Sequence, residues 1–109
     1  KNLEHLDLSF TSIPTLLPEA TGDLTNLKEL HLGSCRIESL PRSIGRLQNL
    51  QLLRLYGAIH LSELPEEIGD LLNLKQLELH NCCRLPSLPR SIGNLQNLEE
   101  LDLSCTGRL

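Results

Sequence analysis

Two histidines and two carboxylates recur at a fixed offset near the start of the chain. His5 and Asp7 are followed, 24 residues on, by Glu29 and His31. Two imidazoles with two carboxylates make a donor set that zinc accepts. The run His80-Asn81-Cys82-Cys83 offers a second set. A thiol beside an imidazole also has the residue types of an activated nucleophile. Glu78, Glu100 and Asp102 make an acidic patch of a kind that steers a basic partner, unless it is simply a solvated face. Each chemistry needs its groups held at set positions, so the elements that carry them decide whether it can occur.

Those elements repeat. Residues 40–50 read LPRSIGRLQNL and residues 88–98 read LPRSIGNLQNL, one letter apart and 48 residues apart. Aligning on the Leu after each Asn gives five lines, starting at Leu3, Leu27, Leu50, Leu74 and Leu98. The offsets are 24, 23, 24 and 24. The lines read LEHLDLSFT, LKELHLGSC, LQLLRLYGA, LKQLELHNC and LEELDLSCT, all of the form L-x-x-L-x-L. After them come LPEATGDLTN, LPRSIGRLQN, LPEEIGDLLN and LPRSIGNLQN. The units are therefore 3–26, 27–49, 50–73, 74–97 and a partial 98–109, in one domain spanning 1–109.

Two periods sit inside each unit. Alternating apolar residues in x-L-x-L-x predict a short strand with one buried face. Pro41, Pro65 and Pro89 block a regular helix upstream, and the residues after them favour one helical or 3₁₀ turn. The recurrent Gly22, Gly45, Gly69 and Gly93 are expected to supply tight backbone conformations. Asn26, Asn49, Asn73 and Asn97 precede the strands and can satisfy turn backbone groups. One unit cannot bury its leucines alone, so the units must stack, with the strands in a parallel sheet.

These lines resemble the leucine-rich repeat over essentially the whole chain. The resemblance implies an α/β solenoid, a curved right-handed superhelix. Its parallel sheet lies on the concave face and its short helical or 3₁₀ turns on the convex side. In the commonest repeats Asn fills the ninth position. Here it holds Thr11, Cys35, Ala58, Cys82 and Thr106, so a hydrogen-bonded ladder there would be weakened. Strings such as ELHNCCRLPSLPRSIGNLQNLEELDLS look like repeats of plant intracellular immune receptors. LPxxIGxL is also shared with Ras-pathway scaffolds and bacterial effectors. Neither end carries a recognisable cap, so the chain reads as part of a longer array, able to self-associate through its open ends.

Positions three, five and seven of each strand line should face away from the leucines. The centre of that face holds Leu52, Arg54 and Tyr56, and Tyr and Arg are enriched among binding hot spots. His31 lies to one side, and Glu78, His80, Glu100 and Asp102 to the other. These eight residues are the expected partner-binding set. The plainer alternative is that Arg54 only pairs with Glu78 and Tyr56 only covers Gly33. On the second halves Glu19, Arg42, Glu66 and Arg90 alternate in sign, as do Asp23, Arg46 and Asp70. Each is expected to face opposite charge on both sides and so to fix the stacking register.

The early chemistries fare poorly on this frame. Zinc on His5, Asp7, Glu29 and His31 has no arguable second shell. Cys82 should point into the core, away from His80, and buried thiols are inert. The glycines fall one per unit and form no phosphate loop. A shallow sheet rarely supplies the cleft that hydrolysis needs. No catalytic, cofactor or metal site is expected.

The charge balance, 10 basic against 14 acidic residues and a net −4, argues against nucleic acid. No apolar run is long enough to span a membrane. Cys35, Cys82, Cys83 and Cys105 recur at similar points of the units, which suggests reduced, buried thiols in a cytoplasmic protein. The expected function is recognition of another protein, as in the ligand-sensing repeats of a plant disease-resistance receptor. Its partner would be a pathogen effector, a host target or another domain of the same receptor. The alternatives are a substrate-binding arm of a bacterial effector ubiquitin ligase, a Ras-pathway-type scaffold, or an engineered or purely structural array.

Overall fold

A computed structural model of the chain describes residues 3–8, 17–33, 37–57, 60–80 and 87–103. Five three-residue strands appear in chain order: β1 His5–Asp7, β2 Glu29–His31, β3 Leu52–Arg54, β4 Gln76–Glu78 and β5 Glu100–Asp102. All neighbours pair in parallel, in the order β1-β2-β3-β4-β5. The register aligns Leu6, Leu30, Leu53, Leu77 and Leu101 across the sheet. This matches the register that the repeat offsets predict. A slip of one residue would turn every leucine outward, so the buried face enforces it.

Four 3₁₀ turns lie opposite the sheet: η1 Glu19–Asp23, η2 Arg42–Arg46, η3 Glu66–Asp70 and η4 Arg90–Asn94. Each follows a proline, Pro18, Pro41, Pro65 or Pro89, with φ near −67° and ψ near 150°. The proline ring fixes φ and supplies no amide, so the turn starts where no donor would be satisfied. The spacing from each proline to the next unit's first Leu is constant. The one-residue shortening of unit 2 falls between Leu32 and Pro41 instead. Turns with their side chains are bulkier than strands stacked about 4.8 Å apart, so the stack bends with the sheet inside.

Between sheet and turns runs one continuous core. Leu27, Leu30, Leu32, Ile44, Leu47, Leu50, Leu53, Leu55, Ile68, Leu71, Leu74, Leu77 and Leu79 are fully buried in a single cluster. Burying such a side chain contributes about 1.5–3 kcal/mol. Leu3, two residues before β1, and Leu101, in β5, remain 41 % and 39 % exposed.

Side chains add a second set of bonds between units. Asn49, Asn73 and Asn97 donate from Nδ2 to the backbone oxygens of Thr25, Gln48 and Leu72 at 3.0, 2.6 and 2.7 Å. The asparagines thus satisfy turn carbonyls as expected, but those of the preceding unit. Ser43 and Ser91 donate from Oγ to the carbonyls of Glu19 and Glu66 at 2.8 and 2.7 Å.

The recurrent glycines serve a purpose other than the expected backbone freedom. Among the described glycines only Gly57 has a positive φ, of 70°. Gly22 and Gly69 sit inside their turns because the next unit comes close. A Cβ on either would lie 2.6 Å or 2.4 Å from the Cβ of Ser43 or Ser91. At Gly45 the nearest neighbours, on Glu67 and Asp70, are 3.1 Å away. The two-unit period is therefore steric: each Ser of an RSIG unit seats on the glycine before it.

The charge alternation closes less tightly than expected. Of those residues only Arg46 and Asp23 come within 4 Å, at 3.5 Å and in solvent. Cys35, Cys82, Cys83, Cys105 and all five ninth-position residues lie outside the described residues. Among the described residues no helix is long and apolar enough to cross a membrane.

Candidate functional site

Strand pleating turns the residues between the leucines onto the concave face, and parallel pairing sets them side by side. The central unit carries the most organised group. Arg54 Nε donates to Glu78 Oε1 at 3.0 Å and its Nη2 to Oε2 at 3.3 Å. This two-point pairing orients the guanidinium as well as neutralising it. The same guanidinium stands 5.9 Å from the centre of the Tyr56 ring. The ring lies over Gly33, where a Cβ would come within 2.6 Å of it. Gly33, Tyr56, Arg54 and Glu78 therefore form one layer across the second, third and fourth units, at and just past the ends of their strands. Both contacts of the plainer sequence reading are made, and they leave the Tyr56 ring half-buried and fixed.

Arg54, Tyr56, Glu78, His80 and Asp102 line one depression of about 310 Å³. Five of the eight expected residues thus converge, and the other three do not join them. Glu100 lies in an adjoining hollow of about 450 Å³ that shares Glu78 and Asp102. His31 is drawn toward Glu29. Leu52, expected to be exposed, is only 9 % exposed, although it stands outside the core cluster. Its register neighbours Glu29 and Gln76 flank it, and it forms the floor of a small hollow of about 190 Å³. A leucine on a concave row is shielded by the longer stems on either side.

The four residues at the start of the chain do come together in part. Glu29 Oε1 lies 3.2 Å from both His5 Nδ1 and His31 Nε2. The hydrogen bond from His31, then that from His5, holds the Glu29 carboxyl below the usual carboxylate range, with burial opposing. A carboxylate can only accept here, so the facing imidazole nitrogens carry the protons. Among the described residues no group of three or more His, Cys, Asp or Glu is arranged to hold a metal ion.

A second surface was not singled out from the sequence as a site. A hollow of about 630 Å³ lies on the turn side and is lined by Glu19, Arg42, Glu63, Glu66 and Glu67 with Leu40 and Leu64. A second, of about 420 Å³, shares Leu64 and Glu66 and extends to Arg90. Its signal was present in the alternating charges of the second halves.

Residues 17–108 match a family described as "Leucine-rich repeat region", and residues 2–24 match "Leucine Rich Repeat". No curated protein matches the chain. Several solved structures do. A leucine-rich repeat protein of Leptospira interrogans is 36 % identical, with a TM-score of 0.63 over 94 % of this chain and 31 % of its own. The leucine-rich repeat domain of the type III effector XopL is 28 % identical, with a TM-score of 0.66 over 93 % of this chain and 42 % of its own. The plant peptide hormone receptor RGFR1, in complex with RGF2, is 26 % identical, with a TM-score of 0.55 over 90 % of this chain and 20 % of its own. The chain therefore spans less than half the length of each of these structures.

Proposed function

The chain belongs to the leucine-rich repeat family, and from that premise we propose that its concave sheet is a recognition surface for another protein. The observation that carries this reading is the locked layer of Tyr56, Arg54 and Glu78 beside an open depression. An aromatic ring and a guanidinium held in place before binding lose little freedom on binding, which is the condition for a strong contact. The face binds and performs no chemistry. The partner is a protein: an effector, a host target or another domain of the same polypeptide. The LPRSIGNLQNLEELDLS string, which resembles repeats of plant intracellular immune receptors, supports reading the chain as sensing repeats of a cytoplasmic plant disease-resistance receptor.

A second reading rests on the XopL domain, which is 28 % identical: a substrate-binding arm of a bacterial effector. Flanking sequence separates the two, since a nucleotide-binding domain upstream marks the receptor and a catalytic domain downstream marks the effector. The concave assignment is tested by selecting a phage-displayed random peptide library on the chain. Selected peptides should lose binding to Tyr56→Ala and Arg54→Ala by at least about tenfold. Binding that survives both substitutions would exclude the central strand as the contact.

A further inference from the structure

The concave face carries charge of one sign. In its two outward rows, set by the strand register, five residues are acids: Asp7, Glu29, Glu78, Glu100 and Asp102. One, Arg54, is a base. Counting His as neutral, five acids against one base leave four negative charges on the face. The row just ahead of the strands adds Glu4, Lys28, Lys75 and Glu99, which cancel. Lys1, Arg36, Arg84 and Arg108 lie outside the described residues. The turn side also holds more acids than bases, but there Arg42, Arg46 and Arg90 stand among them.

The imbalance is sharpest over β4 and β5. Glu78, Glu100 and Asp102 face outward there, and no outward residue of either strand is a base. Arg54, on β3, is committed to Glu78 through two hydrogen bonds, and its charge offsets one carboxylate of the three. Two adjoining hollows open on these acids and share Glu78 and Asp102. Tyr56 and His80 wall one, Leu101 and Leu103 the other. Each hollow therefore sets an apolar wall beside carboxylates. That combination matches a Lys or Arg side chain, which has an apolar stem and a cationic head. An acidic partner would be repelled at the same positions. A purely apolar one would strip water from the carboxylates and give nothing in return.

We propose that the partner of the concave face is a basic protein segment, whose Lys or Arg side chains enter the two hollows between Tyr56 and Leu103. This rests on the reading of the sheet as a recognition surface and names the chemistry that the surface selects. Carboxylate oxygens accept more than one hydrogen bond, so Glu78 can take an incoming cation while it holds Arg54. The surplus of acids also draws a basic segment in from solution and speeds association at low salt.

The peptides selected from the phage-displayed library test this. They should be enriched in Lys and Arg over the unselected library, and their Kd for the chain should rise with salt. Glu100→Gln and Asp102→Asn should each weaken binding about threefold, and together about tenfold. Glu63→Gln/Glu67→Gln, on the turn side, should leave binding unchanged, while circular dichroism shows all variants folded. Selected peptides that need Tyr56 but are neutral or acidic overturn the proposal, while the concave reading stands. So does binding of basic peptides that survives both neutralisations, or that falls with Glu63→Gln/Glu67→Gln and so belongs to the turns. Peptides indifferent to Tyr56 and Arg54, or a selection that yields no binder, overturn both.

Discussion

The sheet side and the turn side of this protein join their units by different means. On the sheet, neighbouring units are tied by backbone. Lys28, Gln51, Lys75 and Glu99 donate to the carbonyls of Glu4, Lys28, Gln51 and Lys75 at 2.7–2.8 Å, whatever their side chains. On the turn side the joints depend on particular side chains. Ser43 and Ser91 must fit against Gly22 and Gly69, and the asparagines must reach back one unit. A surface whose scaffold asks little of its exposed side chains, Gly33 beneath Tyr56 apart, can vary them for recognition. A surface whose scaffold depends on them cannot.

The largest test removes what both sides share. Leu53 is fully buried at the middle of the stack. Leu53→Asp would leave an unpaired charge in an apolar ribbon and should cost at least about 3 kcal/mol. The cooperative thermal transition should vanish. A melt like the unsubstituted chain's would contradict the facing of the strand.

The next test compares glycines on the turn side alone. Gly69→Ala must push Ser91 away and should destabilise by about 1–3 kcal/mol. Gly45→Ala, with its nearest atoms at 3.1 Å, should cost less. Gly93→Ala has nothing within 4 Å among the described residues and should stay within about 0.5 kcal/mol. A denaturant midpoint lower for Gly69→Ala than for Gly45→Ala would support alternating tight and loose joints. Equal losses at Gly45 and Gly69 would remove the distinction.

A concave substitution should cost less again. Arg54→Ala gives up the Glu78 pair and the cation over Tyr56 while leaving the backbone ladder intact. With both partners about a quarter to a third exposed, the expected loss is about 1 kcal/mol or less. The same substitution should remove peptide binding. Stability loss matching that of Gly69→Ala would mean that the sheet face is as constrained as the turn face.

The legible and the hidden parts of this molecule divide along the same line. Leucine spacing determined register because burial tolerates no slip, and the proline positions marked the turns because φ is fixed there. What lay beyond reach depended on distances between units. Leu52 occupies a row meant for exposed residues, yet its shielding comes from the lengths of Glu29 and Gln76. The glycine pattern was visible but its cause was not, because the 2.4 Å to which a Cβ on Gly69 would approach Ser91 cannot be read from one unit. The pairing of Arg54 with Glu78 could be anticipated because the register placed them opposite. Whether Arg42 reached Glu19 depended on turn geometry, and it does not.

The smallest expected effect belongs to the flank of the concave face. Hydrogen bonds from His31 and His5 lower the Glu29 pKa in the folded chain. A depressed carboxyl contributes stability above its unfolded value and loses it as pH falls through the folded one. The unsubstituted chain should therefore exceed Glu29→Gln in stability from neutral pH down to the ordinary carboxylate range. Below it the two should converge. The Glu29 side chain is 39 % exposed, so solvent screens the contacts and the gap should be narrow. Melting curves of both proteins across the acid limb measure it. A gap that persists below the folded value would mean that Glu29 acts through packing rather than charge, and this flank would then resemble the turn side more than the sheet.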